Sequence, residues 1–468
     1  MHGKRFDQIS DQELSELRAL GFDWIWMMGI WRISPAVLAI SKRFAHDFEG
    51  SPYAIADYEI NPLLGGEQAF RDFVRRAHEQ GLRVMADFVP NHMAVDSPLI
   101  DAHPEWVIHS NPSLRDERPE DYFDHRQGRL AHGKDPYFAG WVDTVQLDYA
   151  HPGLRAHMIH ILRRLASLVD GLRCDMAMLV LRDQVKTQWF PRIPQDLFDQ
   201  HFPGEFWPIA IESVRAERPD FIFMAEVYWD KEAYLQELGF DYTYNKKLYD
   251  MLAHHPNTVE LTGYLSGIPN KYLRHCTHFL ENHDEERAAQ RFGARSRPCA
   301  MLSYAIPGAV FVHQGQMEGY SEKLPVQRVR PLRKEHPDRR LLAFYARLLW
   351  CVKDPIFRIG EFSVLHERKG LVLFGRSLGK RRILIGIDPA REPSGENPAL
   401  EIALSELELL AHHKKSTEGG PHPIRKAFDL WNAEEIHIEC GASHLKIHAG
   451  HVKSYRENGG FIIELHRE

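Results

Sequence analysis

Short apolar runs alternate with longer amphipathic stretches over the first two thirds of the chain. Trp24-Ile25-Trp26-Met27-Met28-Gly29-Ile30 reads as a buried strand, after a helical stretch that starts near Ser10. Between Gln68 and Gln80, Phe70, Phe73, Val74 and Ala77 stand at helical spacing, and Gly81 is a good residue to end on. Arg83-Val84-Met85-Ala86-Asp87-Phe88-Val89 is the next predicted strand. A helix over about 153–169 leads through Gly171 into a strand at 172–175, and one over about 205–216 leads into 221–227. Further strands are predicted at 240–244, 276–281 and 309–313. Repeated strand–helix units with apolar strands predict a parallel sheet covered by helices. Seven strands are countable between 24 and 313, and the eighth of a closed barrel is not visible.

The stretch 93–150 breaks this rhythm, being rich in Pro, Asp, His and Arg with few periodic apolar positions. A long loop inside a compact domain is usually functional. After a predicted helix at about 338–352 the pattern turns to short strands, at 370–374, 382–387, 435–438 and 460–465. They predict an antiparallel β domain from about 355 onward, with 390–398 and 411–424 as exposed loops. The expected division is a barrel over 1–353, an insertion at 93–150 and a β domain over 354–468.

Length agrees with that division, since a barrel takes about 250 residues and this chain has 468. A net charge of −7 gives no reason to expect nucleic acid. Five scattered cysteines without a C-x-x-C pair form neither a zinc signature nor a disulfide framework. Met1-His2-Gly3-Lys4-Arg5-Phe6-Asp7 lacks the apolar stretch of a secretory signal, and no run of about 18 apolar residues occurs. A soluble, cytoplasmic protein with no membrane partner is the expectation. No glycine loop of the phosphate-cradling kind follows any strand, and no cofactor is predicted.

Chemistry in a parallel barrel sits at the C-terminal ends of its strands. Those ends carry Asp87, then Arg173 and Asp175, then Glu226, then His283 and Asp284. One such carboxylate is most often the cap of the following helix. Four of them, with an Arg two positions before one, are hard to explain as caps, because desolvated carboxylates are costly unless paired. Clustered acids suit glycosidic cleavage, whose oxocarbenium transition state needs a nucleophile, a proton donor and nearby negative charge. Crowded like charges raise the proton affinity of one acid, and an adjacent Arg holds another ionised. Arg173 therefore points to Asp175 as nucleophile, leaving Glu226 as acid/base.

These motifs resemble those of the α-amylase superfamily of glycoside hydrolases. Asp87-Phe88-Val89-Pro90-Asn91-His92 is similar to that family's third-strand motif, and Gly171-Leu172-Arg173-Cys174-Asp175 to its fourth. Ala225-Glu226-Val227 resembles the proton-donor motif of strand five. Phe279-Leu280-Glu281-Asn282-His283-Asp284 resembles the seventh-strand motif, which ends in the acid that stabilises the transition state. The acids stand in the family's order, 88, 51 and 58 residues apart. Pro307 to Gln316 is similar to the eighth-strand segment, so the likeness covers roughly 6–350.

The resemblance implies a (β/α)8 TIM barrel lacking its first strand, a short inserted domain B and a C-terminal antiparallel β-sandwich. It implies Asp175, Glu226 and Asp284 as catalytic residues. Tyr53, Asp87, Asn91, His92, Arg173 and His283 become substrate-binding, with Tyr53 stacking on the sugar being cleaved. Of the aromatic residues beyond the strand ends, Trp229 is the best placed to stack on a ring.

Three departures qualify the likeness. A missing first strand leaves an open sheet edge, which predicts poor solubility or pairing with another segment. Met178 and Leu179 stand where many amylases carry Lys and His, so neither an ordinary acceptor site nor a calcium site is expected. Asn91 alone is no cage for an ion that takes 6–8 oxygens. Ala54 replaces the Asp that exo-acting α-glucosidases tend to carry after the Tyr. The His412-His413-Lys414-Lys415 run reads as a solvated loop rather than a metal site.

The expected function is a retaining glycoside hydrolase acting on α-glucosidic bonds of α-1,4-glucans or maltooligosaccharides. Transglycosylation or isomerisation (a glucanotransferase, or a trehalose-synthase-like enzyme) is the alternative. A non-catalytic amylase-like binding subunit is the second. The expected partner is an α-linked oligo- or polysaccharide, with chain length, linkage and oligomeric state left open.

Overall fold

A computed structural model describes residues 4–111, 118–254, 256–331, 333–367, 370–391, 399–403, 424–440, 444–448 and 452–467. Most of the polar segments expected as loops at 390–398 and 411–424, including the His412–Lys415 run, lies outside the described residues. The chain divides into two compact units, Met1–Tyr244 with Leu324–Arg333, and Asn245–Lys323 with Lys334–Glu468.

In the first unit, the strands Trp24–Met27, Arg83–Phe88, Gly171–Cys174, Ile222–Ala225 and Tyr242–Tyr244 lie side by side in chain order, each parallel to the next. Helices fill the connections. Asp11–Leu20 starts on Ser10, whose hydroxyl accepts from the Glu13 amide while the Glu13 carboxylate returns to the Ser10 amide. Gly66–Glu79 buries Phe70, Phe73, Val74 and Ala77, the four residues that the helical spacing marks. Gly171 is required where the sheet narrows, since a Cβ there would come within 2.8 Å of the Ile222 carbonyl oxygen. No strand of the described residues pairs with the other edge of Trp24–Met27.

The insertion's buried apolar residues, among them Ile100, Leu130 and Val145, stand at irregular intervals, which is why periodicity does not reveal its strands. His92–Ala94 and Thr144–Gln146 pair antiparallel at its base, and Tyr122–His125 forms a hairpin with Gly128–Ala131. Buried Lys134 donates to buried Asp121 at 2.5 Å, and Asp121 also accepts from the Gly140 amide. That ion pair adds to an apolar cluster of Ile108, Tyr122, Ala131 and Trp189.

In the second unit, Cys276–His278 runs parallel to Ala309–Val310. Both strands are shorter than predicted, because the residues after them turn away into loops tied by side chains. Seven strands of the alternating strand–helix pattern are thus formed, and the fold class is the (β/α)8 barrel with a C-terminal β domain. That domain holds a six-stranded antiparallel sheet in the order Glu361–Val364, Val372–Leu378, Arg381–Ile387, Gly460–Arg467, Ile424–Asp429, Glu434–Ile436. A three-stranded sheet of Ala399–Ala403, His444–His448 and Ile438–Cys440 accompanies it. Leu373, Leu384 and Phe461 from the first sheet share one apolar core with Leu400, Leu445 and Ile447 from the second. The predicted strand at 435–438 is broken at His437, with its halves in different sheets.

Candidate active site

Asp175 and Glu226 occupy adjacent strand ends because the backbone ladder continues one residue past the sheet. The last registered pair is Cys174 with Ala225. Beyond it the Asp175 amide donates to the Phe88 carbonyl at 2.8 Å, and the Glu226 amide to the Cys174 carbonyl at 3.0 Å. Both side chains are buried.

Arg173 joins them. Its side chain is 0% exposed, with Nη1 2.5 Å from Asp175 Oδ1 and Nη2 2.8 Å from Glu226 Oε2. Asp87 Oδ1 is 3.7 Å away. The rings of Trp26, Tyr53 and Tyr244 surround the guanidinium at 5.1, 5.3 and 5.7 Å, and Nε donates to the Tyr244 hydroxyl at 3.3 Å. Burial works against the charge on Arg173, but the Glu226 carboxylate and then the flanking groups outweigh it and drive its pKa further above the ordinary value. A guanidinium suits this place, since its planar fork can serve two carboxylates at once.

Glu226 is held on both oxygens. Oε2 accepts from the Met176 amide at 2.8 Å, and Met176 takes a left-handed φ of 42° at that point. Oε1 accepts from the Tyr228 hydroxyl at 2.8 Å.

The other expected residues of this unit are fixed by contacts within the protein. Asp87 is wholly buried, accepting from Trp26 Nε1 and the Gly29 amide, each at 3.1 Å. It supports Arg173. Asn91 exchanges amide hydrogen bonds with Gln146 at 3.2 and 2.9 Å, fastening the base of the insertion. His92 packs against Trp141, their ring centroids 4.9 Å apart. Tyr53 stays half-buried with its ring on Arg173. Trp229 and Asp230 have left-handed φ values of 63° and 56°, a strained pair just after the Glu226 strand. The Trp229 ring meets Tyr137 edge-on at 5.2 Å, and Tyr137 and Phe138 are each 68% exposed.

Met178 and Leu179 are buried in the short helix Ala177–Val180. Their side chains pack into the protein. Trp26, Tyr228 and Tyr244 are the functional neighbours that strand-end reasoning left unassigned. Trp26 sits inside an apolar strand, where a polar tip gives no sequence signal.

Asp284 and His283 belong to the second unit. There His283 Nε2 lies 3.0 Å from Asp284 Oδ2, and the Asp284 amide donates to Asn282 Oδ1 at 2.9 Å. The Asp284 side chain is 48% exposed. Glu281, in the same motif, is buried. It pairs with Arg287 at 2.8 Å and His313 at 3.0 Å, and accepts from the Ala288 amide at 2.6 Å. It braces the loop that carries Asp284. Among the described residues no three His, Cys, Asp or Glu side chains gather as a metal site, and no helix is long and apolar enough to cross a membrane.

Burial lowers the His92 pKa to about 3, with a hydrogen bond to the Tyr53 backbone opposing it, and lowers that of His278 to about 4, with the Pro307 carbonyl opposing. Unfolded histidines titrate near 6.5, so between these values the unfolded chain binds more protons and stability falls as pH falls. At pH 5 each histidine is expected to cost about 2 kcal/mol relative to pH 8. Urea midpoints at the two pH values measure the loss, and His278→Gln should shrink the difference. An unchanged difference would count against the buried neutral ring.

Comparison with known proteins gives the same family as the motifs. The model of the α-amylase catalytic domain matches residues 9–339. The α-amylase MalA of Haloarcula japonica is 25% identical over 362 residues, covering 73% of this chain and 45% of that protein. An intracellular maltogenic amylase of Bacillus subtilis is 21% identical, covering 82% and 61%. An α-1,4-glucan:maltose-1-phosphate maltosyltransferase of Rhodospirillum rubrum is 27% identical, covering 87% and 59%. The chain thus spans about half to three fifths of the length of these relatives. Among solved structures, the maltogenic α-amylase AmyB of Thermotoga neapolitana matches with a TM-score of 0.69 at 22% identity, covering 99% of this chain and 94% of that one.

Proposed function

The chain belongs to the α-amylase family, and from that premise we propose that it cleaves α-1,4-glucosidic bonds of maltooligosaccharides by retaining double displacement. The observation that carries the reading is the Asp175–Arg173–Glu226 bridge at adjacent strand ends. One guanidinium spanning both carboxylates draws them together, and the two carboxyl groups of a retaining enzyme need to be close, about 5–5.5 Å apart.

Arg173 holds Asp175 ionised, and Asp175 attacks the anomeric carbon as the bond to the leaving oxygen breaks. Glu226 gives its proton to that oxygen. Oε2 already accepts from the Met176 amide and faces Arg173, so Oε1 is the oxygen that carries the proton. Glu226 then takes a proton from water, whose oxygen displaces Asp175. Asp284, on the family motif, adds negative charge to the cationic transition state, with His283 beside it. The barrel is read as 1–353 with domain B at 93–150, and the β-sandwich as 354–468. The Bacillus subtilis relative is an intracellular amylase, and the same location is proposed for this chain.

Transfer to a sugar acceptor is the second reading. It draws support from Tyr137, whose exposed ring beside Trp229 offers a stacking surface, with the exposed Phe138 next in the chain. Incubation with maltoheptaose, with and without added glucose, separates the two by the products formed. Proton NMR of the first-formed product tests retention. Initial release of the β-anomer would overturn the mechanism, and inertness toward every α-glucan would overturn the function.

Tyr228→Phe removes a donor to the ionised form of Glu226, which favours the protonated form. The alkaline limb of kcat/KM is expected to move to higher pH, with about a tenfold loss in kcat. A pH profile that keeps its shape would show that the hydroxyl has no part in the proton's placement.

A further inference from the structure

The row of strand ends that carries Asp175 and Glu226 has a third polar member. Met224 pairs with Tyr242 and Ala225 with Thr243, so Glu226 and Tyr244 are the next residues on their two strands. Asp175 and Glu226 follow the pair of Cys174 and Ala225 in the same way. Tyr244 is 0% exposed. Its ring lies 5.7 Å from the Arg173 guanidinium carbon, and its hydroxyl accepts from Arg173 Nε at 3.3 Å.

That hydrogen bond has a geometric consequence. Arg173 Nη1 donates to Asp175 Oδ1 at 2.5 Å. Nη2 stands 2.8 Å from Glu226 Oε2 but forms no aligned hydrogen bond. Attraction between charges depends on their distance, whereas a hydrogen bond also depends on the direction of the N–H. The rotation of the fork is therefore set by Nη1 and Nε, two nitrogens of one rigid plane. The Trp26 and Tyr53 rings, at 5.1 and 5.3 Å, confine the group without fixing that rotation. Asp87 is 3.7 Å from Nη1, and its oxygens accept from Trp26 Nε1 and the Gly29 amide.

We propose that Tyr244 is a positioning residue of the glycosidic site, its hydroxyl turning the Arg173 guanidinium so that Nη1 meets Asp175. This role rests on Asp175 being the nucleophile, and it extends the site to a further strand end. Without the hydroxyl, Nε would be a buried donor that solvent does not reach, since Tyr244 is wholly buried. The fork would then swing toward Glu226 and loosen from Asp175. The titratable groups around Arg173 are Asp87, Cys174, Asp175, Glu226, Tyr53 and Tyr244. Among them Asp175 is the carboxylate held by a direct hydrogen bond from the guanidinium, so its proton affinity responds most.

Tyr244→Phe tests this, because it keeps the ring beside Arg173 and removes only the hydroxyl. The acidic limb of kcat/KM on maltoheptaose is expected to move about half a pH unit or more to higher pH, as Asp175 takes its proton more readily. The kcat should fall about tenfold while KM stays within about twofold. A packing defect alone would lower stability and leave the limb in place. Tyr149→Phe is the control. It removes another buried hydroxyl of this unit, one without a hydrogen-bond partner, and should leave rate and limb unchanged. Carbon-13 NMR of aspartate-labelled protein reads the same shift without turnover, at the resonance that Asp175→Asn deletes. A chain inert toward α-glucans whose Asp175 still titrates at higher pH in Tyr244→Phe would sink the glycosidase reading and uphold the positioning role. An Asp175 titration and an acidic limb unchanged from the wild type, or moved equally by Tyr149→Phe, would overturn the proposal.

Discussion

Replacing Asp175 with Asn is expected to lower turnover of maltooligosaccharides about 10⁴-fold or more, while the melting temperature moves by only a few degrees. The two shapes are nearly the same, and the amide oxygen can still accept from Arg173 Nη1, which now stands 2.5 Å from Oδ1. What disappears is the negative charge that forms the covalent bond. Losing one ion pair is offset in part by less repulsion toward Glu226, which shares the same guanidinium. Stability and activity therefore separate at this residue. Initial rates on maltoheptaose, thermal melts and mass spectrometry of protein exposed to a trapping fluoroglycoside check all three. The wild type should gain the sugar's mass on the peptide that contains Asp175. A variant that kept its rate, or a label on another acid, would sink the assignment of the nucleophile.

Much of this was legible because strand-end chemistry leaves a polar residue where an apolar run stops. Asp87, Asp175 and Glu226 each announce themselves in that way. The helix Gly66–Glu79 was equally plain, since its four buried residues repeat at the helical period. Where cohesion is polar, the pattern fails. In the insertion the Lys134–Asp121 pair and Asn91 with Gln146 supplement irregularly spaced apolar residues, and no periodicity records such bonds. Ala399–Ala403 and His444–His448 were missed although their alternation is readable, as in His444-Leu445-Lys446-Ile447-His448. Met178 and Leu179 mark another limit. Their residue types are compatible with an apolar site wall, and only their burial assigns them to packing.

Arg173 is where stability and chemistry meet, and its substitution should cost both. Arg173→Met keeps most of the side chain's volume but leaves Asp87, Asp175 and Glu226 buried without their shared cation. Stripping one partner from a buried ion network costs about 3–5 kcal/mol. The carboxylates left behind would respond by taking protons, so their folded-state pKa values rise above the unfolded ones. A group of that kind destabilises most above its folded pKa, and the loss eases as pH falls through it. The deficit of Arg173→Met is therefore expected to be larger at pH 8 than at pH 5, whereas a mere packing defect would be the same at both. Arg173→Lys preserves the charge but replaces the fork by a single ammonium, which cannot align on two carboxylates as the guanidinium does. It should recover most of the stability and little of the activity, with kcat still reduced about 10²–10³-fold. Urea unfolding of the three proteins at both pH values, set beside their rates, decides the matter. If Arg173→Lys recovered full activity, charge alone would suffice and the bridging role of the guanidinium would be wrong.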